Sequence, residues 1–196
     1  MEIKKLPEPT IRFLSEEKKV LCDKAWLKKQ KENLELYYMH RGVKRKSDLR
    51  YDITIIPPQM LGKEFVKTKG HEHSDEQELY IVLEGKAIFL LQKYKNKKVE
   101  DVYAVIAKKG DLCLIPFDYG HVTINPSRQK LTLANWIPEK NKSSYSLFEK
   151  MQGACYYYTS KGWIKNKKYK KIPTLRFEKP LKSAPKNLNF FRYEQD

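Results

Sequence analysis

The chain has 196 residues, room for one domain with arms, and 40% of them are hydrophobic. Thirteen tyrosines argue against disorder, and no apolar run reaches the roughly 18 residues of a membrane span. The N-terminus, MEIKKLPEPTIRFLSEEKK, lacks an apolar signal core, so a cytoplasmic location is expected. The net charge is +16, and from Lys161 onward eleven basic residues face three acidic ones, so half of the excess (+8) lies in the tail. An anionic small molecule fits this sign. No helix-turn-helix, zinc-finger or RNP-like pattern accompanies it, which argues against nucleic acid. Cys22, Cys113 and Cys155 are odd in number and widely spaced, which excludes a zinc ribbon or disulfide framework.

Residues 1–14, with Pro7 and Pro9, read as an extended arm. Ser15 is a plausible N-cap, and Glu16 and Glu17 suit the positive end of a helix running to about Glu32. From Leu34 the texture becomes β-rich. LELYYMH, YDITIIP, EFVKTKG, ELYIVLE, KAIFLLQ, VEDVYAVIA, LCLIP, HVTIN and KLTLANWIP alternate with turn signals such as Gly85, KYKNKK, KKGD, FDYG and PSRQ. Many short strands without intervening helices predict an all-β sandwich or barrel and not a parallel βαβ sheet. The expected organisation is an arm and helix over 1–33, a barrel domain over 34–160 and an irregular basic extension over 161–196.

Three of the four histidines fall in two of these segments. His71 and His73 are an i, i+2 pair, so on a strand both rings leave one face. Glu78 opens the next strand after the turn Ser74–Gln77, and His121 opens another after FDYG. Three imidazoles and a carboxylate suit Fe2+, Mn2+, Ni2+ or Zn2+ and leave coordination positions for water or substrate. His40 falls outside this pattern and reads as an ordinary hydrogen-bonded residue.

The two segments, HxH-x4-E-x6-G from His71 to Gly85 and G-x5-P-x4-H-x3-N from Gly110 to Asn125, resemble the two cupin motifs. Asp118 and Phe65 stand where those motifs usually carry turn glycines. The flanks are more specific. G-x-E-F-x-x-T-K-G-H-x-H from Gly62 to His73, followed by E-x-Y from Glu78 to Tyr80, resembles the cupin-type glucose-6-phosphate isomerases of archaea and some bacteria. The similarity reaches upstream to RFLS and Ala25–Trp26 and downstream to Tyr145, about residues 11–165.

The resemblance implies a cupin β-barrel or jelly roll with a short N-terminal helix. It implies one divalent metal, Fe2+ first, on His71, His73, Glu78 and His121. It also implies phosphosugar contacts at Thr54, Thr68, Gly70, Tyr80 and Tyr145, and an aldose–ketose isomerisation of glucose 6-phosphate and fructose 6-phosphate in glycolysis and gluconeogenesis. Glu78 and Tyr80 are the expected catalytic groups. The departures are Trp136 and Ser143, where the family commonly has Tyr and His, and Leu34, where an upstream family tyrosine falls beside Tyr37 and Tyr38. Other readings of the same ligand set are an isomerase or epimerase of another phosphorylated sugar, an Fe2+ dioxygenase, or a non-enzymatic sugar-binding cupin. Leu79, Ile81 and Leu83 alternate with Glu78 and Tyr80, leaving an apolar outer strand face that points to a homodimer.

Overall fold

The computed structural model describes residues 5–73 and 76–184. Part of the expected turn Ser74–Gln77 and the tail from Pro185 therefore lie outside the described residues. The elements in chain order are β1 (Thr10–Phe13), α1 (Leu14–Glu17), α2 (Lys24–Lys29), β2 (Glu35–Lys46), β3 (Leu49–Ile56), β4 (Met60–Leu61), β5 (Glu64–Phe65), β6 (His71–Glu72), β7 (Glu78–Glu84) and β8 (Lys86–Lys95). They continue with β9 (Lys98–Lys108), β10 (Leu112–Ile115), β11 (Gly120–Ile124), β12 (Leu131–Pro138), α3 (Ser146–Lys150), β13 (Tyr156–Thr159), β14 (Gly162–Lys165) and β15 (Arg176–Glu178).

The strands form a six-stranded sheet ordered β1-β2-β3-β12-β7-β10, a five-stranded sheet β15-β9-β8-β11-β6 and a small sheet β14-β13-β5-β4. The two large sheets are not joined into a continuously hydrogen-bonded cylinder, so the cupin fold takes its open jelly-roll form. β8 shows how sequence sets the layers. Ala87, Phe89 and Leu91 point into the core between the large sheets, while Ile88 and Leu90 join a second core. That second core is capped by Phe148 of α3 and Tyr156 of β13. A strand buried on both faces needs the unbroken apolar run AIFLL in place of alternation.

Two expectations change. The helix from Ser15 to Glu32 is broken: Leu21 turns extended, and α2 starts afresh with Asp23, whose carboxylate accepts from Trp26 N at 3.0 Å. The break is held from below, because Glu64 Oε1 accepts from Cys22 N at 2.5 Å while Val20 and Leu21 are fully buried. Ser15 is no cap; it lies inside α1, and its N–H donates to Asn33 Oδ1. In the C-terminal extension, β14 pairs with β13 across residue 161, β15 runs parallel to β9, and Leu181 bridges Leu112 of β10. The segment thus spans the seam between edge strands of both large sheets. No helix among the described residues is long and apolar enough to cross a membrane.

Candidate metal centre and substrate cleft

The site grows from the inner face of the six-stranded sheet. Register places Asp52 (β3), Asn135 (β12) and Tyr80 (β7) side by side across three neighbouring strands. Paired residues share a face and i, i+2 residues keep it, so Glu78 lies on that same face. From the facing sheet, His121 of β11 pairs directly with His71 of β6. Two strand pairs thus bring four side chains separated by up to 50 positions to one point.

One donor atom from each of His71, His73, Glu78 and His121 lies within 4.8 Å of the others. Glu78 Oε2 is 4.0, 3.5 and 3.4 Å from the Nε2 atoms of His71, His73 and His121. Glu78 Oε2 and His73 Nε2 are buried without a hydrogen-bond partner. Orphaned buried acceptors normally cost about 1–3 kcal/mol. Here they converge with two further donors, as a cation site requires, and the mixed N/O set fits a divalent transition metal. The cluster could therefore hold one such ion.

Two of the three imidazoles are held neutral for it. Burial, followed by the charges of His121 and His73 and then of Arg41 and Arg12, drives His71 well below the usual histidine range. Burial, opposed by Glu78 and assisted by His73, lowers His121 to about 4. Both imidazoles are neutral at pH 7, as metal ligation demands. For His73 burial is outweighed by Glu78, the Lys142 backbone and Glu76, and its pKa rises. For Glu78 burial is outweighed by His73, His121 and Tyr80, and its pKa falls.

Supporting contacts that the sequence did not reveal complete the centre. Asn135 Nδ2 donates to Glu78 Oε1 at 2.6 Å. Asn141 Nδ2 lies 2.8 Å from His73 Nδ1 and donates to Glu76 Oε2 at 2.5 Å. Tyr80 Oη sits 3.3 Å from His121 Nε2, and its phenol is held strongly protonated by burial and by Glu78.

The cleft beside the cluster has two ends. One is lined by Tyr37, Thr54, Thr68, Lys69, Gly70 and Tyr145. Gly70 has φ +83°, and an added Cβ would meet Phe148 Cδ1 at 2.5 Å, so only glycine fits. Tyr37 Oη accepts from Lys69 N at 3.2 Å, and Thr68 Oγ1 accepts from Thr123 N at 3.0 Å. The Tyr145 ring lies 5.1 Å from Lys69 Nζ, 5.8 Å from the Arg12 guanidinium and 5.6 Å from the His71 ring. The other end is polar: Arg41, Arg50, Asp52, Asn141 and Ser143. Arg50 Nε grips both Asp52 oxygens at 2.8 and 3.0 Å.

All the expected contact positions therefore reach one cleft. Trp136 does not. It packs on Tyr51 on the outer face at 4.9 Å, and its neighbour Ile137 lines the cleft instead. Tyr37 lines the cleft near the place expected of the upstream tyrosine, whereas Leu34 does not line it. His40 stays apart, with Nδ1 2.6 Å from Pro7 O. Asp118 adopts φ +62°, the conformation of the glycine it replaces, and Phe65 stacks on Tyr158.

The sequence profile of the family described as "Glucose-6-phosphate isomerase (GPI)" matches residues 14–174. The chain belongs to this family. Within it, the chain is 32% identical over 121 residues to the glucose-6-phosphate isomerase of Pyrococcus abyssi, covering 59% of this chain and 62% of that one. It is 31% identical over 122 residues to that of Thermococcus litoralis, with the same coverage. The aligned region thus spans less than two thirds of these relatives' length. An oxalate oxidase complexed with glycolate overlaps 50% of this chain and 46% of its own at TM-score 0.43 and 12% identity, a likeness too low to add to the assignment.

Proposed function

We propose that the chain is a metal-dependent aldose–ketose isomerase interconverting glucose 6-phosphate and fructose 6-phosphate. The observation that carries this reading is the convergence of the three-histidine, one-carboxylate cluster with a cleft end of hydroxyls, a glycine at positive φ and Lys69. Thr54, Thr68, the Gly70 N–H, Tyr37 and Tyr145 are suited to surround phosphate oxygens, and Lys69 lines the same end with its Nζ paired to Glu149 Oε1 at 2.6 Å. With the phosphate there, the C1–C2 end of an open-chain sugar lies toward the cluster. His71, His73, Glu78 and His121 would hold one divalent cation, for which we favour Fe2+. When bound, it would supply Lewis-acid stabilisation of negative charge on the sugar oxygens. Tyr80 and Glu78 are the groups nearest the cluster that can hold or move a proton.

On the outer face the half-buried Ile81, Leu114 and Trp136 pack on buried Leu49, Leu79 and Leu112, and this apolar patch supports a homodimer as part of the same proposal. The decisive experiment is a coupled isomerase assay under anaerobic conditions with metal-stripped and Fe2+-reconstituted protein. Turnover should need the metal but no oxygen, and His71→Ala and His121→Ala should lose the bound ion. Equal turnover by the stripped protein would remove the metal from the reaction. Turnover of another sugar phosphate alone would move the specificity to the polar end of the cleft.

A further inference from the structure

Glu78 is the one carboxylate in the cluster, and a carboxylate can face a cation with one oxygen or two. In this chain the choice is made by a neighbour. Asn135 stands opposite Tyr80 in the β12–β7 ladder and shares the inner face with Glu78. Its Nδ2 donates to Glu78 Oε1 at 2.6 Å, and both residues are buried, at 6% and 2% exposure. The other oxygen, Oε2, has no hydrogen-bond partner and faces the three Nε2 atoms at 3.4–4.0 Å.

We infer that Asn135 is a positioning residue that occupies one oxygen of Glu78 and thereby presents Glu78 as a one-oxygen ligand, with its other oxygen fixed toward the imidazoles. The inference rests on the metal-site reading above. An amide donor against a carboxylate in a dry site is a strong, charge-assisted bond. It also occupies one lone pair of Oε1 and holds that oxygen away from the histidines, which disfavours chelation through both oxygens or a swing toward the substrate. An alanine or a leucine at 135 would fill the same sheet position and leave Glu78 free to do either. The directionality yields a specific consequence. In Glu78→Gln, Asn135 oriented as it is here donates to the amide oxygen, which turns the amide NH2 toward the histidines. A primary amide nitrogen is a poor ligand, so this near-isosteric change should abolish the metal site instead of merely neutralising it.

The test uses Co2+ as the probe, read by its visible absorption and by competition with a chelator, on the full chain without substrate. Asn135→Ala should weaken Co2+ binding roughly 10- to 100-fold, as loss of an outer contact to a ligand does. Asn135→Asp keeps the shape but sets a second carboxyl against Glu78, and should make Co2+ binding more pH-dependent than in wild type, because the pair shares a proton that the ion must displace. Glu78→Gln should bind least. The swapped pair Glu78→Gln with Asn135→Asp reverses the donor and acceptor. The carboxylate introduced at position 135 then accepts from the amide NH2, the amide oxygen faces the histidines, and binding should recover at least about tenfold over Glu78→Gln alone. Circular dichroism separates unfolded variants from folded ones, and rescue by the pair cannot arise from packing damage. Wild-type affinity in Asn135→Ala, or a swapped pair no better than Glu78→Gln, would overturn the inference while leaving the metal site standing. Failure of the wild-type protein to bind Co2+ would overturn both.

Discussion

Two carboxylates, Glu78 and Glu17, are equally hidden from water and end in opposite states. Glu78 lies on the inner sheet face at 2% exposure, with Asn135 on one oxygen and three imidazoles around the other, and its pKa falls despite burial. Glu17 ends α1 at 0% exposure, and neither of its oxygens has a hydrogen-bond partner. Burial dominates there. Glu64 adds to it, Lys67, Tyr37 and Arg12 oppose it, and the result is a rise to about 7. Burial therefore decides the state of Glu17 but not that of Glu78. What separates the two is whether the surrounding strands aim donors at the charge, and only the site strands do. The cost at Glu17 is borne by the packing of Leu14, Val20 and Leu21, which bury the same short segment.

Removing the charge should have contrary effects at the two positions. At Glu78 the expected effect is the largest in the molecule. Glu78→Gln should lower isomerase kcat by at least about 10²-fold, and because of Asn135 the loss should come with loss of the bound ion. Metal analysis of the purified variant beside its kcat checks both parts. A Glu78→Gln protein that keeps its ion and turns over near normally would remove Glu78 from proton transfer and show that an amide oxygen at position 78 suffices as the ligand.

At Glu17 neutralisation should help. A carboxyl whose folded pKa lies above its unfolded one contributes its stability fully below pH 4.5 and loses it as the pH rises through about 7. At pH 8 the ionised group therefore costs the fold about 3 kcal/mol, from a rise of 4.5 to about 7. Glu17→Gln, the nearest mimic of the protonated acid, should be more stable than wild type at pH 8 and equal to it near pH 4.5. Urea unfolding at the two pH values measures this. A benefit of the same size at both would mean that the charge is not its source.

The contrast also shows what a linear reading can and cannot see. The four cluster residues are legible because HxH, the following Glu and the later His stand at recognisable spacings in or beside strands. Asn135, Arg50 and Asp52 are not legible as site residues, since they enter through register between β3, β12 and β7, and register has no linear signature; Asn141 enters from the turn after β12. The outward placement of Trp136, by contrast, is contained in the sequence. Alternation along β12 puts Asn135 and Ile137 on one face and Trp136 on the other, and one buried anchor fixes the phase. The break at Leu21 is hidden because Val20, Leu21, Ala25 and Trp26 keep a helix-like spacing across it, and only the tertiary bond from Cys22 to Glu64 reveals the interruption. The three-residue strand β15 is set by its partner β9, which no local pattern announces.

The smallest expected effect lies at the phosphate end, and the fold alters how it must be measured. Thr68→Val removes a hydroxyl that would donate to a charged oxygen, a loss of roughly 1.5 kcal/mol or about tenfold in affinity for 6-phosphogluconate. The same hydroxyl oxygen already accepts from Thr123 N at 3.0 Å, and the Thr68 N–H donates to Thr123 O at 2.8 Å. Valine therefore also strips a partner from a backbone donor of β11, two residues beyond His121, and weakens the strand that carries a cluster ligand. Thr68→Ser separates the two roles, because it keeps the hydroxyl and discards only the methyl. If the hydroxyl binds phosphate, serine should hold wild-type affinity while valine falls about tenfold, and both should retain the bound ion. If valine loses the ion together with affinity, Thr68 acts by bracing β11. If both variants bind 6-phosphogluconate as wild type does, the phosphate does not sit against Thr68.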